Sequence, residues 1–342
     1  METLGLSGPA QRRTSRWYQV RVFLLLTLLL TPILGCRRHN SGEKYFLVST
    51  NLQIPYWQQA GAGFADAAAQ LKVHARFVGP QSYDPTAEQH AFQQAVQEKP
   101  AGILLHVVEP ALLMYDIDKA VEAGIPVITI DADAPASKRL FFIGTNNYQA
   151  GMLGGKRLAQ ELKEKGNVVF FTMPEQTNLA DRLRGYREAL VRYPEIRVVR
   201  VVDIAGNPHV AFDTVTDLLS KQRDQVDAFV CLEAQAGREV ATVLSDRHVQ
   251  DKVVMAMDTD PDTLDWIQKG VIVATIAQKP YTMAMVGLRM LDDLHHNRPP
   301  RLDAQWSKDS FAPVPAFVDT GAALIDKSNL AAFRQARPTD AR

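Results

Sequence analysis

From residue 44 to residue 296 the chain alternates short apolar runs with longer stretches whose apolar positions recur every three or four residues. The runs are rich in Val and Ile and bounded by Gly, Pro, Asn and Asp, which predicts strands at 44–50, 73–78, 102–107, 126–130 and 140–143. A second set follows at 167–172, 197–203, 228–232, 252–257 and 271–277. The helical stretches between them are 56–71, 86–98 and 111–123, then 149–165, 179–192, 209–221, 236–246, 262–268 and 281–295. Strands that are apolar along their whole length suit parallel sheets covered by helices on both faces, so the fold class is α/β. The segment Glu122-Ala-Gly-Ile-Pro126 fits this order, because Gly124 ends a helix and Pro126 opens a strand. So many strands exceed one comfortable open sheet, which predicts two doubly wound lobes meeting near Thr145-Asn-Asn147. From Arg298-Pro-Pro300 onward there is little helical period, and the tail is expected to be chain crossing back between the lobes.

The first 36 residues do not share this pattern. Arg12, Arg13, Arg16 and Arg21 precede the apolar stretch 22–30, and Thr31-Pro-Ile-Leu-Gly-Cys36 follows. A basic start, a short apolar middle and a small residue before a break are the parts of a secretory signal, and the stretch falls short of the roughly 18 residues a membrane span needs. Ile33-Leu34-Gly35-Cys36 resembles the bacterial lipobox, which implies lipidation at Cys36 and an anchor worth about 0.8 kcal/mol per buried methylene. A plain signal peptide or a signal anchor is the alternative. Residues 37–43, opening Arg-Arg-His-Asn-Ser-Gly, read as a polar tether.

Composition narrows the classes. Hydrophobic residues make up 46% and charged residues 22%, ordinary globular usage that excludes a disordered chain. Basic and acidic residues both total 38, so no basic excess points to nucleic acid. Removing residues 1–35 would take away four Arg and one Glu, leaving 34 basic against 37 acidic residues and a mildly acidic domain. Cys36 and Cys231 are too few for a disulfide framework or a cysteine-built zinc site. With Cys36 lipidated, Cys231 would be a lone thiol.

Candidate chemistry lies at the carboxyl ends of the strands, where open parallel sheets bind ligands. Asp131, Glu233, Asp258 and Gln278 each directly follow a predicted strand, and the first strand runs into Ser49-Thr-Asn51 with Tyr56-Trp57 close behind. Any one of these polar residues could be a helix cap. Four of them from both halves of the chain, with two aromatics, favour a shared cleft.

At this point the sequence resembles the ribose-type periplasmic sugar-binding proteins. Val48-Ser-Thr-Asn51 with Pro55-Tyr-Trp57, Gly124-Ile-Pro-Val-Ile-Thr-Ile-Asp131, Asp181-Arg-Leu-Arg-Gly-Tyr186, Met257-Asp258 and Ala274-Thr-Ile-Ala-Gln-Lys-Pro280 stand in that family's order and spacing. The likeness spans about residues 44–320. It implies two Rossmann-like lobes, joined by a three-strand hinge, that close over one monosaccharide. The expected division is 44–146 with 280–308 for the first lobe and 147–279 with 309–335 for the second. The family's sandwiching aromatics match Tyr56 and Trp57, and its strand-end aspartate matches Asp131, although Ala132 stands where an arginine is usual. Its second-lobe arginine matches Arg182, the aspartate of its Gly-Phe-Asp segment matches Asp258, and its glutamine beside the hinge matches Gln278. Either Asn51 or Gln53 could supply the amide near the aromatic pair. Glu233-Ala234 replaces the family's Asn-Asp, and the second-lobe aromatic falls near Gly206-Asn207. A glutamate lining the cleft would suggest a ligand with an amino group or an altered hydroxyl pattern.

Those residue types suit a sugar, whose apolar C–H faces pack on aromatic rings while Asp, Gln and Arg meet its hydroxyls. Arg182 is expected to offset the burial of Asp131 and Asp258. Other signals fail. Gly61-Ala-Gly63 lacks the third glycine of a dinucleotide fingerprint, and Gly151-Met-Leu-Gly-Gly-Lys156 lacks the first Gly and the Ser/Thr of a phosphate loop, so both are expected to be helix-packing glycines. The eight histidines are scattered, and adjacent His295 and His296 point about 100° apart on a helix, a poor metal pair. No motif joins a nucleophile to a base, so no enzyme, cofactor or metal is expected. The function so read is an extracytoplasmic, lipid-anchored, monomeric sugar receptor that delivers its ligand to the membrane permease of an ABC transporter. A sugar sensor signalling to a membrane kinase is the alternative. A sugar-responsive repressor would need a helix-turn-helix where this chain has a signal, and a hydrolase would need a catalytic set.

Overall fold

The structure, a computed structural model, describes residues 42–298, 309 and 311–336, with isolated positions 1 and 5. The expected signal, the lipidation site at Cys36 and residues 37–41 of the tether lie outside the described residues. Among the described residues no helix is long and apolar enough to cross a membrane. All elements below lie in the compact unit Ser41–Arg342.

The chain begins with β1 (Lys44–Val48), α1 (Pro55–Leu71), β2 (His74–Val78), α2 (Pro85–Gln97), β3 (Gly102–Leu105), α3 (Pro110–Glu122), β4 (Val127–Ile130) and β5 (Phe142–Gly144). It then passes into α4 (Asn147–Glu161), β6 (Lys165–Thr172), α5 (Thr177–Leu190), β7 (Glu195–Asp203), α6 (His209–Lys221), β8 (Ala228–Cys231), α7 (Ala236–Asp246), β9 (Val253–Met257), α8 (Pro261–Lys269) and β10 (Ala274–Ala277). After α9 (Pro280–His296) come β11 (Phe317–Asp319), β12 (Ala323–Asp326) and α10 (Leu330–Ala336). Helices α1, α2, α3, α8 and α9 all start at a proline, whose fixed φ and missing N–H suit a first helical position.

Two six-stranded sheets result, ordered β11-β5-β4-β3-β1-β2 and β12-β10-β9-β8-β6-β7. Every pairing is parallel except that of β12 with β10. The order reverses at β1 in one sheet and at β6 in the other, the switch points beside which α/β sheets bind ligands. Strand β6 shows why its run is apolar throughout: Val169 and Phe171 pack into the core on one face, Val168 and Phe170 into the core on the other. Cys231 is part of the first of these cores, where burial holds its thiol well above its ordinary pKa.

Helix α9 returns to the first lobe and buries Met283, Leu288 and Leu291 there. It meets α1 so closely that a Cβ on Gly63 would lie 2.1 Å from the Tyr281 carbonyl oxygen. Helices α4 and α5 touch in the same way, a Cβ on Gly151 falling 2.1 Å from the Arg182 carbonyl oxygen and one on Gly185 2.1 Å from that of Tyr148. Both glycine motifs therefore serve helix contact.

The tail differs from expectation. Residues 309–335 do not all join the second lobe, because β11 pairs in parallel with β5 and stacks Phe317 on Phe142 at 5.1 Å. The third crossing between lobes thus falls between Asp319 and Ala323, after crossings beyond β5 and beyond β10. The helix expected to reach residue 165 stops at Glu161, since Lys163 and Glu164 turn through positive φ (50° and 67°) to start β6.

Candidate functional site

The carboxyl ends of the strands from both lobes face one cavity of about 80 Å³. Asp131 follows β4, Asp258 follows β9, and each has a left-handed backbone (φ 67° and 65°), uncommon for a residue with a Cβ. Each donates its backbone N–H across to the neighbouring strand, Asp131 to Ile143 at 3.0 Å and Asp258 to Ile276 at 2.9 Å. The same local turn thus occurs once in each lobe and presents a carboxylate to the cavity both line. Strained positions of this kind cluster at ligand sites.

In the first lobe the Tyr56 hydroxyl donates to Asp131 Oδ1 at 2.5 Å, while Asn178 Nδ2, from α5 of the second lobe, donates to Oδ2 at 3.1 Å. Burial and the Asp131 charge hold the Tyr56 phenol well above its ordinary pKa, so it remains a donor. Trp57 sits edge-on to Tyr56 and to His106, with ring centroids 5.3 and 4.8 Å apart. A second link between lobes runs beside Asp131: Thr177 Oγ1 accepts from the Asp133 N–H and donates to the Asp133 carbonyl, both at 3.1 Å.

In the second lobe Arg182 is 2% exposed. Its Nε donates to Asn147 Oδ1 at 3.1 Å, and its remaining nitrogens reach Asn147 and the Leu232 carbonyl. As expected, its charge favours the ionised form of Asp258, although it makes no direct ion pair with Asp131 or Asp258; Arg184, not Arg182, takes Asp181. Asp258 Oδ1 accepts from Gln278 Nε2 at 2.9 Å. Burial pushes the Asp258 carboxyl up to about 7, against the opposing pull of the Arg182 charge and the Gln278 hydrogen bond. Gln278 is 8% exposed, lines the cavity, and its Oε1 has no hydrogen-bond partner.

Of the residues expected from sequence, Asn51, Tyr56, Trp57, Asp131, Arg182, Glu233, Asp258 and Gln278 line the cavity. Gln53 does not; it is exposed and its amide bonds Gln81, so Asn51 is the amide at this corner. Glu233 lines the cavity and braces the N-terminus of α7, its two oxygens accepting from the Gln235 N–H at 2.8 Å and from that of Ala236. Each oxygen keeps a further acceptor site.

Three contributors were missed. His106 lay inside the expected strand 102–107, but β3 stops at Leu105, and a lone ionisable group in Gly-Ile-Leu-Leu-His-Val-Val was the available signal. Asn178 was hidden in a helix start. Tyr83 belongs to a loop, and its ring covers Gly206 so closely that a Cβ there would come within 2.1 Å, so a first-lobe aromatic occupies the wall where the second-lobe aromatic was sought.

Known proteins share this layout. The family described as "Periplasmic binding protein domain" matches residues 45–298. The structure of AraP, an arabinose binding protein from Geobacillus stearothermophilus, is 33% identical with a TM-score of 0.72, covering 85% of this chain and 99% of that one. GanP, a glucose-galactose binding protein from the same organism, is 28% identical with a TM-score of 0.77 over 85% and 99%. The D-allose-binding periplasmic protein of Escherichia coli (strain K12) is 23% identical over 264 residues, 74% of this chain and 85% of that protein.

Proposed function

The chain belongs to the family of periplasmic binding protein domains, and from that membership we propose that it is an extracytoplasmic receptor for one monosaccharide or related polyol. The ligand lies between the lobes and is delivered to the permease of an ABC transporter. The observation that carries this reading is the paired Asp131 and Asp258, one from each lobe, facing a single cavity with the unpartnered Gln278 Oε1. Hydroxyls can satisfy all three at once, as donors to two carboxylates and an amide oxygen. The cavity, at about 80 Å³, holds roughly five to eight water-sized centres, the bulk of one small ring and too little for an oligosaccharide. Trp57 and Tyr83, both in the lining, supply apolar surface for the ring's C–H groups. Hydrogen bonds to charged groups contribute roughly 1.5–3 kcal/mol each against about 1 for neutral pairs, so a few of them support micromolar binding after the cost of closure. Ligand contacts to both lobes favour the closed arrangement, with the three crossings as its hinge. The relatives named above are binding proteins, which supports binding rather than turnover. The protein acts as a monomer held at a membrane through lipidated Cys36 after loss of residues 1–35; the basic, apolar and small-residue order of that segment supports this.

A thermal-shift screen of residues 37–342 against pentoses, hexoses, inositols and amino sugars tests the reading, since a ligand that binds only the folded state raises its melting temperature. A clear shift with one sugar, matched by calorimetric binding at 1:1, is expected. No shift across the panel defeats it.

A further inference from the structure

At the end of β1 opposite the cavity, three donor side chains meet. Glu43 directly precedes β1, and its carbonyl accepts from the His74 N–H at 2.9 Å. Asp292 and His296 belong to α9, four residues apart and so on one face, with His296 in the last turn. One ligand atom from each of the three lies within 4.8 Å of the other two. The side chains of Glu43, Asp292 and His296 are 11%, 10% and 19% exposed, so they form a recess rather than a solvated acidic face. None of them lines the sugar cavity. His295 is not among the three; its ring stands edge-on to Tyr45 and to His296.

The histidine stands as a metal ligand would. Its Nδ1 lies 2.8 Å from the Asp292 backbone carbonyl, which can only accept, so Nδ1 carries a proton. Its Nε2 is thereby turned on Glu43 Oε1 at 3.3 Å, and the Asp292 carboxylate lies beside the same ring, Oδ1 3.5 Å from Nδ1. A bare Nε2 lone pair would face a carboxylate, so a positive centre belongs between those two atoms. A proton there would draw them to the roughly 2.7–2.9 Å of a charge-assisted hydrogen bond. Ligand atoms about 2.0–2.1 Å from a tetrahedral zinc ion stand about 3.3 Å apart instead. An imidazole Nδ1–H held by a carbonyl is also the outer-shell arrangement of metal-binding histidines, and the Tyr45 hydroxyl, donating to Asp292 Oδ1 at 3.3 Å, orients the carboxylate in the same manner. We propose that Glu43, Asp292 and His296 form a zinc site, whose ion ties the start of β1 to the last turn of α9. One imidazole with two carboxylates suits zinc better than calcium or magnesium, which take oxygen ligands throughout, and the two negative charges balance the ion. Three protein ligands leave the fourth tetrahedral position for water.

The test uses the processed protein, freed of metal with a chelator, and Zn²⁺ alone as the probe. Calorimetry is expected to show one zinc per chain with a Kd of about 1 μM or lower, and zinc should raise the melting temperature. His296→Gln and Asp292→Asn are each expected to weaken binding roughly 100-fold, whereas His295→Gln binds as the wild type does. Melting curves without zinc establish that each variant folds. Should a variant fail to fold, X-ray absorption at the zinc edge decides on the wild type alone: one imidazole and no sulfur are expected among ligands at about 2.0–2.1 Å. No 1:1 binding below about 100 μM overturns the proposal and leaves an imidazolium between two carboxylates. Wild-type zinc affinity in a folded His296→Gln or Asp292→Asn, or a zinc spectrum with two imidazoles or none, overturns it equally. No sugar enters the experiment, so failure here leaves the sugar reading standing, and failure of that reading leaves the zinc site to be judged by these results.

Discussion

Asp258 is held in a state that costs the folded protein stability. Its carboxyl titrates near 7 in the fold against about 3.9 in an unfolded chain, so between those values the native state binds the proton more tightly. Stability from this group therefore falls as pH rises from about 4 to about 7, and stays low above that range. Asp258→Asn removes the charge while keeping the shape. It is expected to raise the melting temperature of the ligand-free protein at pH 8, with little change at pH 4, and to weaken sugar binding by roughly 2 kcal/mol from the lost charged hydrogen bonds. Differential scanning calorimetry at the two pH values, with a binding titration at pH 8, checks both parts; a lower melting temperature at pH 8 would show that the buried charge is better compensated than its neighbours indicate. At this scale the sequence was most legible where a polar residue interrupts a buried strand at its end, as at Asp131, Asp258 and Gln278. It was least legible where the function of a side chain depends on a distant partner. Nothing local announces that Asn178 meets Asp131, that His106 rests on Glu88, or that Arg182 turns its nitrogens to Asn147 and Leu232.

Helices α4 and α5 set where Arg182 and Asn178 stand, and their separation depends on the absence of side chains at Gly151 and Gly185. Gly151→Ala places a methyl group 2.1 Å from a backbone oxygen that no rotamer change can relieve. The helices must part, at an expected cost of about 1–3 kcal/mol read as a lower urea midpoint. Sugar affinity should fall as well, because α5 carries both cleft residues; unchanged stability and affinity would mean that the pair has slack. The long elements were readable because their hydrophobic period persists over several turns or a whole buried strand. The short ones were not. Strands β11 and β12 span three and four residues, too few for a period, and only pairing with β5 and β10 makes them strands. The end of α4 was misjudged because the turn relies on Lys163 and Glu164 at positive φ, which residues of their type rarely adopt.

Across the whole molecule, the lobes are bound to each other through Asp131 with Asn178 and Asp133 with Thr177. Asp133 is itself fixed by Arg139, whose Nε and Nη2 both reach its carboxylate at 2.5 Å. Thr177→Val deletes two of these links while leaving the cavity lining intact. Small-angle scattering of the ligand-free variant is expected to show a larger radius of gyration than the wild type, with saturating sugar restoring the smaller value. Equal radii without sugar would mean that these bonds do not hold the lobes together. Cys36→Ser is expected to abolish incorporation of labelled fatty acid and to release the protein from membranes; retained label would place the anchor elsewhere. The two-lobe plan itself was legible from strand count and order, whereas the position of the third crossing was not.

The late strands carry one more consequence. Each sheet acquires an edge strand from residues 317–326, so neither sheet can be completed before those residues are made. Folding during synthesis normally proceeds from the amino terminus, unit by unit. Here both units wait on the same late segment, and a truncation at residue 316 should leave two unfinished lobes rather than one intact and one lost.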